Sequence, residues 1–257
     1  MRTPSQQIVT NEKKQLRILN ENPVKIEHDE VFLNEDMKVG LLVAKIPGYA
    51  SIFEKLGIDY CCKGNKTLKE LCAEKNLEVK TVLQKLAKVS TTSQMMDWEE
   101  ASIDELIHHI VIKHHDYLRE ELPRISNLID KVLSKHGDLH PELLELRDTF
   151  ERLKVDLIKH LDEEEMVVFP AIKNLKTHKS AEDLDKLKNY INTLYTEHLE
   201  AGAALEKMNA LTNGYKPPRG ACTTYLVLLN SLAFLEKDMH EHVHKENHIL
   251  FLQIPNN

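Results

Sequence analysis

The chain has 257 residues, a formal net charge of −7, four cysteines and 5% aromatic residues. This length suits one large domain or a small one plus a medium one. The mixed charge leaves no basic footprint for nucleic acid, and no apolar run is long enough to span a membrane. Residues 1–15 are polar and lack the apolar core of a signal peptide. Four cysteines in a chain this long do not make a secreted disulfide framework, so a reduced cytoplasm is expected. Scarce Gly with plentiful Lys, Glu and Leu predicts an all-α protein.

Residues 1–33 show no sustained period and read as a tail. A small helical domain is expected over 34–90. Met37 to Ile46 forms a short amphipathic helix, broken at Pro47-Gly48. The next helix carries Ile52, Phe53 and Leu56, with Gly57 as its cap. A turn-rich loop holds Cys61 and Cys62. Thr67 and Glu70 form a capping box for a helix through Glu74, and a last helix runs from about Glu78 to Val89. Residues 91–100 read as a linker.

A four-helix bundle is predicted over 101–257. Ser102 with Glu105 opens its first helix, whose stripe is Ile107, Val111, His115, Leu118, Leu122, Ile125, Ile129 and Val132. Pro123 is expected to kink this helix, and Gly137 to end it. Pro141 opens the second, expected to run to about Phe169 before Pro170 perturbs it. Ser180 caps the third, with stripe Leu184, Leu187, Ile191, Leu194, His198, Ala201, Leu205 and Met208. Asn213-Gly214 stops it, and the fourth runs from near Cys222 to near Phe251. Long amphipathic helices joined by short loops make an up-down-up-down bundle.

Two of these helices carry His-x-x-x-Glu in one register. The second reads Leu146, Phe150, Leu153, Leu157, His160, Glu164, Val167. The fourth reads Leu228, Leu232, Leu235, Met239, His242, Glu246, Ile249. Steps of four and three keep all of these on one core-facing stripe. Each helix therefore aims an imidazole and a carboxylate into an apolar interior, where a carboxylate is costly unless paired or bound to metal. His178 and Glu182 repeat the motif near a helix start and off the stripe, and are read as chance. With His115 and His198 the core set is four imidazoles and two carboxylates. That set suits two metals of intermediate hardness, iron first and manganese next, bridged by both Glu at about 3.5–4 Å.

His114, His240, His244 and His248 fall outside this set. The last three share a face nearly opposite His242 and read as a solvated or subunit-contact face. His108 and His109 are unassigned. Cys61 and Cys62 are adjacent, which suits neither a zinc knuckle nor a Cys-x-x-Cys motif. They read either as packing residues in a turn or as thiols that react, dock or ligate a transferred metal, with Lys63 and Lys66 favouring thiolate. Cys72 and Cys222 read as packing residues.

Several motifs in order carry a family resemblance: Phe53 to Cys62, His114-His115-Asp116-Tyr117-Leu118-Arg119 with Leu122-Pro123, and His160 to Glu164 with Phe169-Pro170. To these are added Glu197 to Gly202, Ala221 to Thr224, and His242 to Asn247 with Leu250-Phe251. From about residue 35 onward the chain resembles the RIC proteins (repair of iron centres, the YtfE/ScdA type). The resemblance implies a hemerythrin-like non-haem di-iron bundle, with or without an oxo bridge, fused to a small helical domain. It implies iron ligands His115, His160, Glu164, His198, His242 and Glu246. It implies repair of iron–sulfur clusters damaged by nitric oxide or peroxide, with damaged iron–sulfur proteins as partners and a homodimer as the assembly. Lys63 departs from the family, where a second small residue is usual. Oxygen-carrying hemerythrins have a further His one turn after the third-helix His. Gly202 stands there instead, which argues for a more open, labile site. The expected role is metal handling rather than turnover. The alternatives are a nitric oxide or peroxide reductase, or a sensor of diatomic gases, using the same site.

Overall fold

A computed structural model describes residues 33–89, 98, 101–174 and 180–254. The described residues form helices and turns, with one isolated β-bridge between Lys38 and Thr67 and no strand. No helix among them is long and apolar enough to cross a membrane. They divide into two compact units. One takes the chain up to Tyr60 and again from Gly64 to Met95; the other takes Cys61–Lys63 and everything from Met96.

The first unit holds α1 (Val39–Lys45), a 3₁₀ turn at Pro47–Tyr49, α2 (Ala50–Leu56), α3 (Leu68–Glu74) and α4 (Val79–Leu86). The turn is the break expected at Pro47-Gly48. Gly57 closes α2 in the left-handed region at φ 64°, where a Cβ would clash with its own backbone. Thr67 and Glu70 complete the capping box of α3. Phe53, Tyr49, Leu42, Leu68, Leu71 and Leu86 fill the interior. Leu33, assigned from sequence to the tail, is buried as well.

The second unit is the bundle. Its first helix is α5 (Ile103–Ile110) and α6 (Asp116–His136), joined by a π turn at Val111–His115. The second is α7 (Glu142–Glu163), a π turn at Glu164–Val168, and α8 (Phe169–Asn174). The third is α9 (Ala181–Leu211). The fourth is α10 (Thr223–Lys245), extended by a π turn at Glu246–Leu250 and a 3₁₀ turn at Phe251–Gln253. The first helix packs on the second and fourth, the second on the third, and the third meets the fourth to close the ring. Ser102 and Glu105 form the capping box of α5, and the Ser180 hydroxyl accepts from the Asp183 N–H at the start of α9.

Two expectations change. α6 runs on through Pro123; the irregularity in that helix is the π turn before it. In the second helix the perturbation begins at Glu164, ahead of Pro170, which then sits in the first turn of α8, where its missing N–H is tolerated. A π turn adds one residue to the helix, so the stripe moves on by one: Val168 is fully buried, whereas Val167, predicted to face inward, is 38% exposed. Leu184 is half-buried, and the rest of the third-helix stripe is buried as predicted.

Candidate metal centre

The π turns lie where the polar residues enter the core. His115 is the last residue of the first, Glu164 opens the second, and Glu246 opens the third. π turns are rare and cluster at functional sites, because the extra residue re-aims a side chain. Here they let each helix present a polar group inward and still return its following apolar residues to the core.

The structure brings all six predicted residues together in two groups that share both carboxylates: His115, Glu164, His242, Glu246, and His160, Glu164, His198, Glu246. All six are at most 5% exposed. Glu164 places Oε2 3.5 Å from His115 Nε2 and Oε1 3.4 Å from His160 Nε2. Glu246 places Oε1 2.8 Å from His242 Nε2 and Oε2 3.2 Å from His198 Nε2. Each carboxylate thus offers one oxygen to each half.

Protein groups fix three of the imidazoles from outside. His115 Nδ1 is 2.9 Å from Glu165, which is shared with Arg119; His160 Nδ1 is 2.7 Å from Glu197; His198 Nδ1 is 2.9 Å from Asn247 Oδ1. Asn247 in turn donates through Nδ2 to the Cys61 carbonyl. Each acceptor takes the Nδ1–H, so the Nε2 lone pair points inward, the form that binds metal.

The residues fit a cation on grounds internal to the site. Neither oxygen of Glu164, nor Oε2 of Glu246, has a hydrogen-bond donor among the described residues, although both side chains are fully buried. Burial, and then the Glu246 charge, push the Glu164 carboxyl well above its usual range. Burial also opposes the charge on Glu246, but His242, His115 and His198 outweigh it and hold that carboxyl well below. Burial pushes His242 down to about 3, so its ring is neutral at pH 7. Two buried acidic groups among four imidazoles, short of hydrogen-bond donors, are the donor set that a divalent cation completes.

A cavity of about 400 Å³ between α7 and α9 reaches His160, Glu197 and His198 over Leu157 and Ala201. Cys61–Lys63 belong to the same unit as the bundle rather than to the small helical unit. The Cys61 carbonyl accepts from His248 Nε2 at 2.8 Å, and Cys62 Sγ lies 3.1 Å from the His198 carbonyl. The two sulfurs are 3.6 Å apart, beyond a disulfide bond of about 2.05 Å. A Cβ at Gly202 would come within 3.1 Å of Cys62 Sγ, so a side chain there would require the thiol to shift by a few tenths of an ångström.

His244 and His248 are buried, not on a solvated face, because the last helical segment is covered on all sides from His242 to Leu250. His114 is buried too, stacked on His242 with centroids 5.3 Å apart. His109 packs on Trp98. Cys72 is a core residue as expected, whereas Cys222 is half-buried at the start of α10 with Sγ 3.2 Å from His136 Nε2. His178 lies outside the described residues. Sequence reasoning missed Glu165, Glu197 and Asn247. Their signal was adjacency: each is a polar residue next to a predicted ligand, and each supports a His on another helix.

Residues 106–254 match the family described as the hemerythrin HHE cation binding domain, and residues 35–90 match ScdA_N, a domain of unknown function. The iron-sulfur cluster repair protein ScdA of Staphylococcus haemolyticus is 34% identical over 214 residues, 83% of this chain and 95% of the relative. The iron-sulfur cluster repair protein YtfE of Escherichia coli is 34% identical over 216 residues, 84% of this chain and 95% of the relative. With both domains matched in order and nearly the whole length of these relatives covered, the chain belongs to the ScdA/YtfE family of iron–sulfur cluster repair proteins.

Proposed function

We propose that this protein repairs iron–sulfur clusters damaged by oxidative or nitrosative stress, and that His115, His160, Glu164, His198, His242 and Glu246 hold two iron ions as its cargo. The observation that carries this reading is Glu164: a fully buried carboxylate with no hydrogen-bond donor on either oxygen, between His115 and His160. Iron held there supplies the atom that a damaged cluster has lost. The protein's own groups do the rest. Glu165, Glu197 and Asn247 keep three imidazoles turned inward, the apolar stripe excludes water, and the two carboxylates neutralise the cargo. The cavity over His160 and His198 gives the site a way out. Damaged iron–sulfur proteins are the partners, and the cytoplasm is the compartment that suits unbridged thiols at Cys61 and Cys62. Val227 and Phe234, exposed on α10 and two turns apart, supply apolar surface for a homodimer.

The test is anaerobic. The iron-loaded protein is mixed with an enzyme whose cluster has been damaged, and client activity and iron content are followed together. Recovery with stoichiometric loss of iron from the donor is expected; recovery without loss refutes the cargo role. The same cavity favours a second reading, in which nitric oxide or peroxide reaches the site and is reduced. Catalytic consumption of either with an electron donor would establish it. The Cys61→Ser, Cys62→Ser double variant is expected to keep its iron absorption, since Cys61 meets Asn247 through its backbone carbonyl, but to restore the client more slowly. Unchanged recovery would reduce the pair to packing.

A further inference from the structure

The two halves of the centre differ in how their imidazoles are held. In the half containing His160 and His198, both Nδ1 atoms face acceptors, Glu197 and Asn247 Oδ1. Their Nε2 atoms face each other at 3.1 Å.

The other half is arranged differently. His115 Nδ1 lies 2.9 Å from Glu165, but His242 lacks such support. Its Nε2 meets His115 Nε2 at 3.1 Å and Glu246 Oε1 at 2.8 Å. His242 Nδ1 is buried and has no partner among the described residues.

The reason lies in His114. In the three supported cases the residue beside one ligand holds the His of another helix: Glu165 beside Glu164, Glu197 beside His198, Asn247 beside Glu246. His114, beside His115, is in the matching place for His242. Its Nδ1 is 3.0 Å from Asp238 and its Nε2 is 3.0 Å from Lys245 Nζ. Both ring nitrogens are committed, and it meets His242 with a parallel ring face, which offers no hydrogen-bond acceptor in the ring plane.

We infer that the two metal positions are unequal, and that the one formed by His115 and His242 holds its ion more weakly and is emptied first at equilibrium. His242 would hold an ion there with its outer nitrogen buried and without a partner among the described residues, whereas the outer nitrogens of His160 and His198 each have one. Partners on the outer nitrogen of a ligating His are worth about 10–100-fold in metal affinity, which sets the expected gap. The cavity beside His160 and His198 governs how fast an ion leaves, not how tightly it is held. The inference rests on the reading that these six residues hold two ions.

The experiment is calorimetric titration of the full-length, metal-stripped protein with Co(II). Two steps separated by about 10–100-fold are expected. His242→Ala should keep only the tight step, and His198→Ala only the weak one. Asn247→Ala, a milder change, should weaken the tight step and spare the other. Two equal steps or a reversed pattern in the variants would overturn the inference. Unequal steps without iron transfer to a client sink the repair reading alone; equal steps with transfer sink only this one.

Discussion

The two ends of the bundle are built from the same helices and the same stripe, yet they behave as different materials. Away from the metal centre the stripe is Leu122, Ile125, Ile129 and Val132 on α6, Leu146 and Phe150 on α7, Leu205 and Met208 on α9, and Leu228 and Leu232 on α10, all buried within unbroken α-helix. At the other end the stripe turns polar, and three of the four helices carry a π turn there. The apolar end holds together by burial, which has no directional demands. The polar end needs lone pairs aimed at one point, and the apolar end supplies the rigid frame that makes such aiming possible. Stability and function are therefore separable along one axis.

The strongest way to break the comparison is to make the ends alike. Glu164→Leu with Glu246→Leu should abolish metal binding by elemental analysis. It should also raise the melting temperature of the metal-free protein, because replacing a buried charged network by apolar residues is often stabilising. Retained metal would contradict the assignment of both carboxylates. The converse variant acts on the apolar end. Phe150→Ala should cost about 3–5 kcal/mol in chemical denaturation, with metal per folded chain unchanged. Loss of metal from the folded fraction would show that the ends are not separable.

Smaller effects sharpen the boundary between them. Val168→Ala should cost about 1.5 kcal/mol, two buried methyl groups at about 0.8 each, whereas Val167→Ala should stay within about 0.5. The reverse order would place the π turn elsewhere. Ser102→Ala removes the capping box of α5 and should cost about 1 kcal/mol, less than Val168→Ala, read by denaturation with metal content unaltered. A loss of metal in that variant would mean that the start of the first helix positions His115.

The six core polar residues were legible because a period of 3.6 is insensitive to what the interior contains: His160 and Glu164 continue the steps of Leu153 and Leu157. The caps at Thr67, Ser102 and Ser180 were legible because a hydroxyl followed three residues later by an acidic side chain has few other uses. The π turns were not. Nothing in the local composition of Glu164–Val168 announces an extra residue, so the stripe was carried on to Val167 instead of Val168. The buried His244 and His248 were misread for a related reason: an amphipathic rule presumes one solvent-facing side, and this segment has none. Glu165, Glu197 and Asn247 went unseen because their partners lie on other helices, at distances a one-dimensional pattern does not encode.

A π turn has a consequence for heredity. It marks a place where the chain is one residue longer than a regular helix would need, and such a place can lose a residue without disturbing the register beyond it. Deleting one residue from Glu164–Val168 would rewind the turn into ordinary helix and leave Phe169 and Ile172, now buried, facing the interior. A deletion in unbroken α-helix would instead swing everything after it by about 100°. Among descendants of this chain, substitutions should accumulate at exposed positions such as Val167 and Met166, while single-residue gaps should avoid the unbroken α-helix on either side of the windows Val111–His115, Glu164–Val168 and Glu246–Leu250.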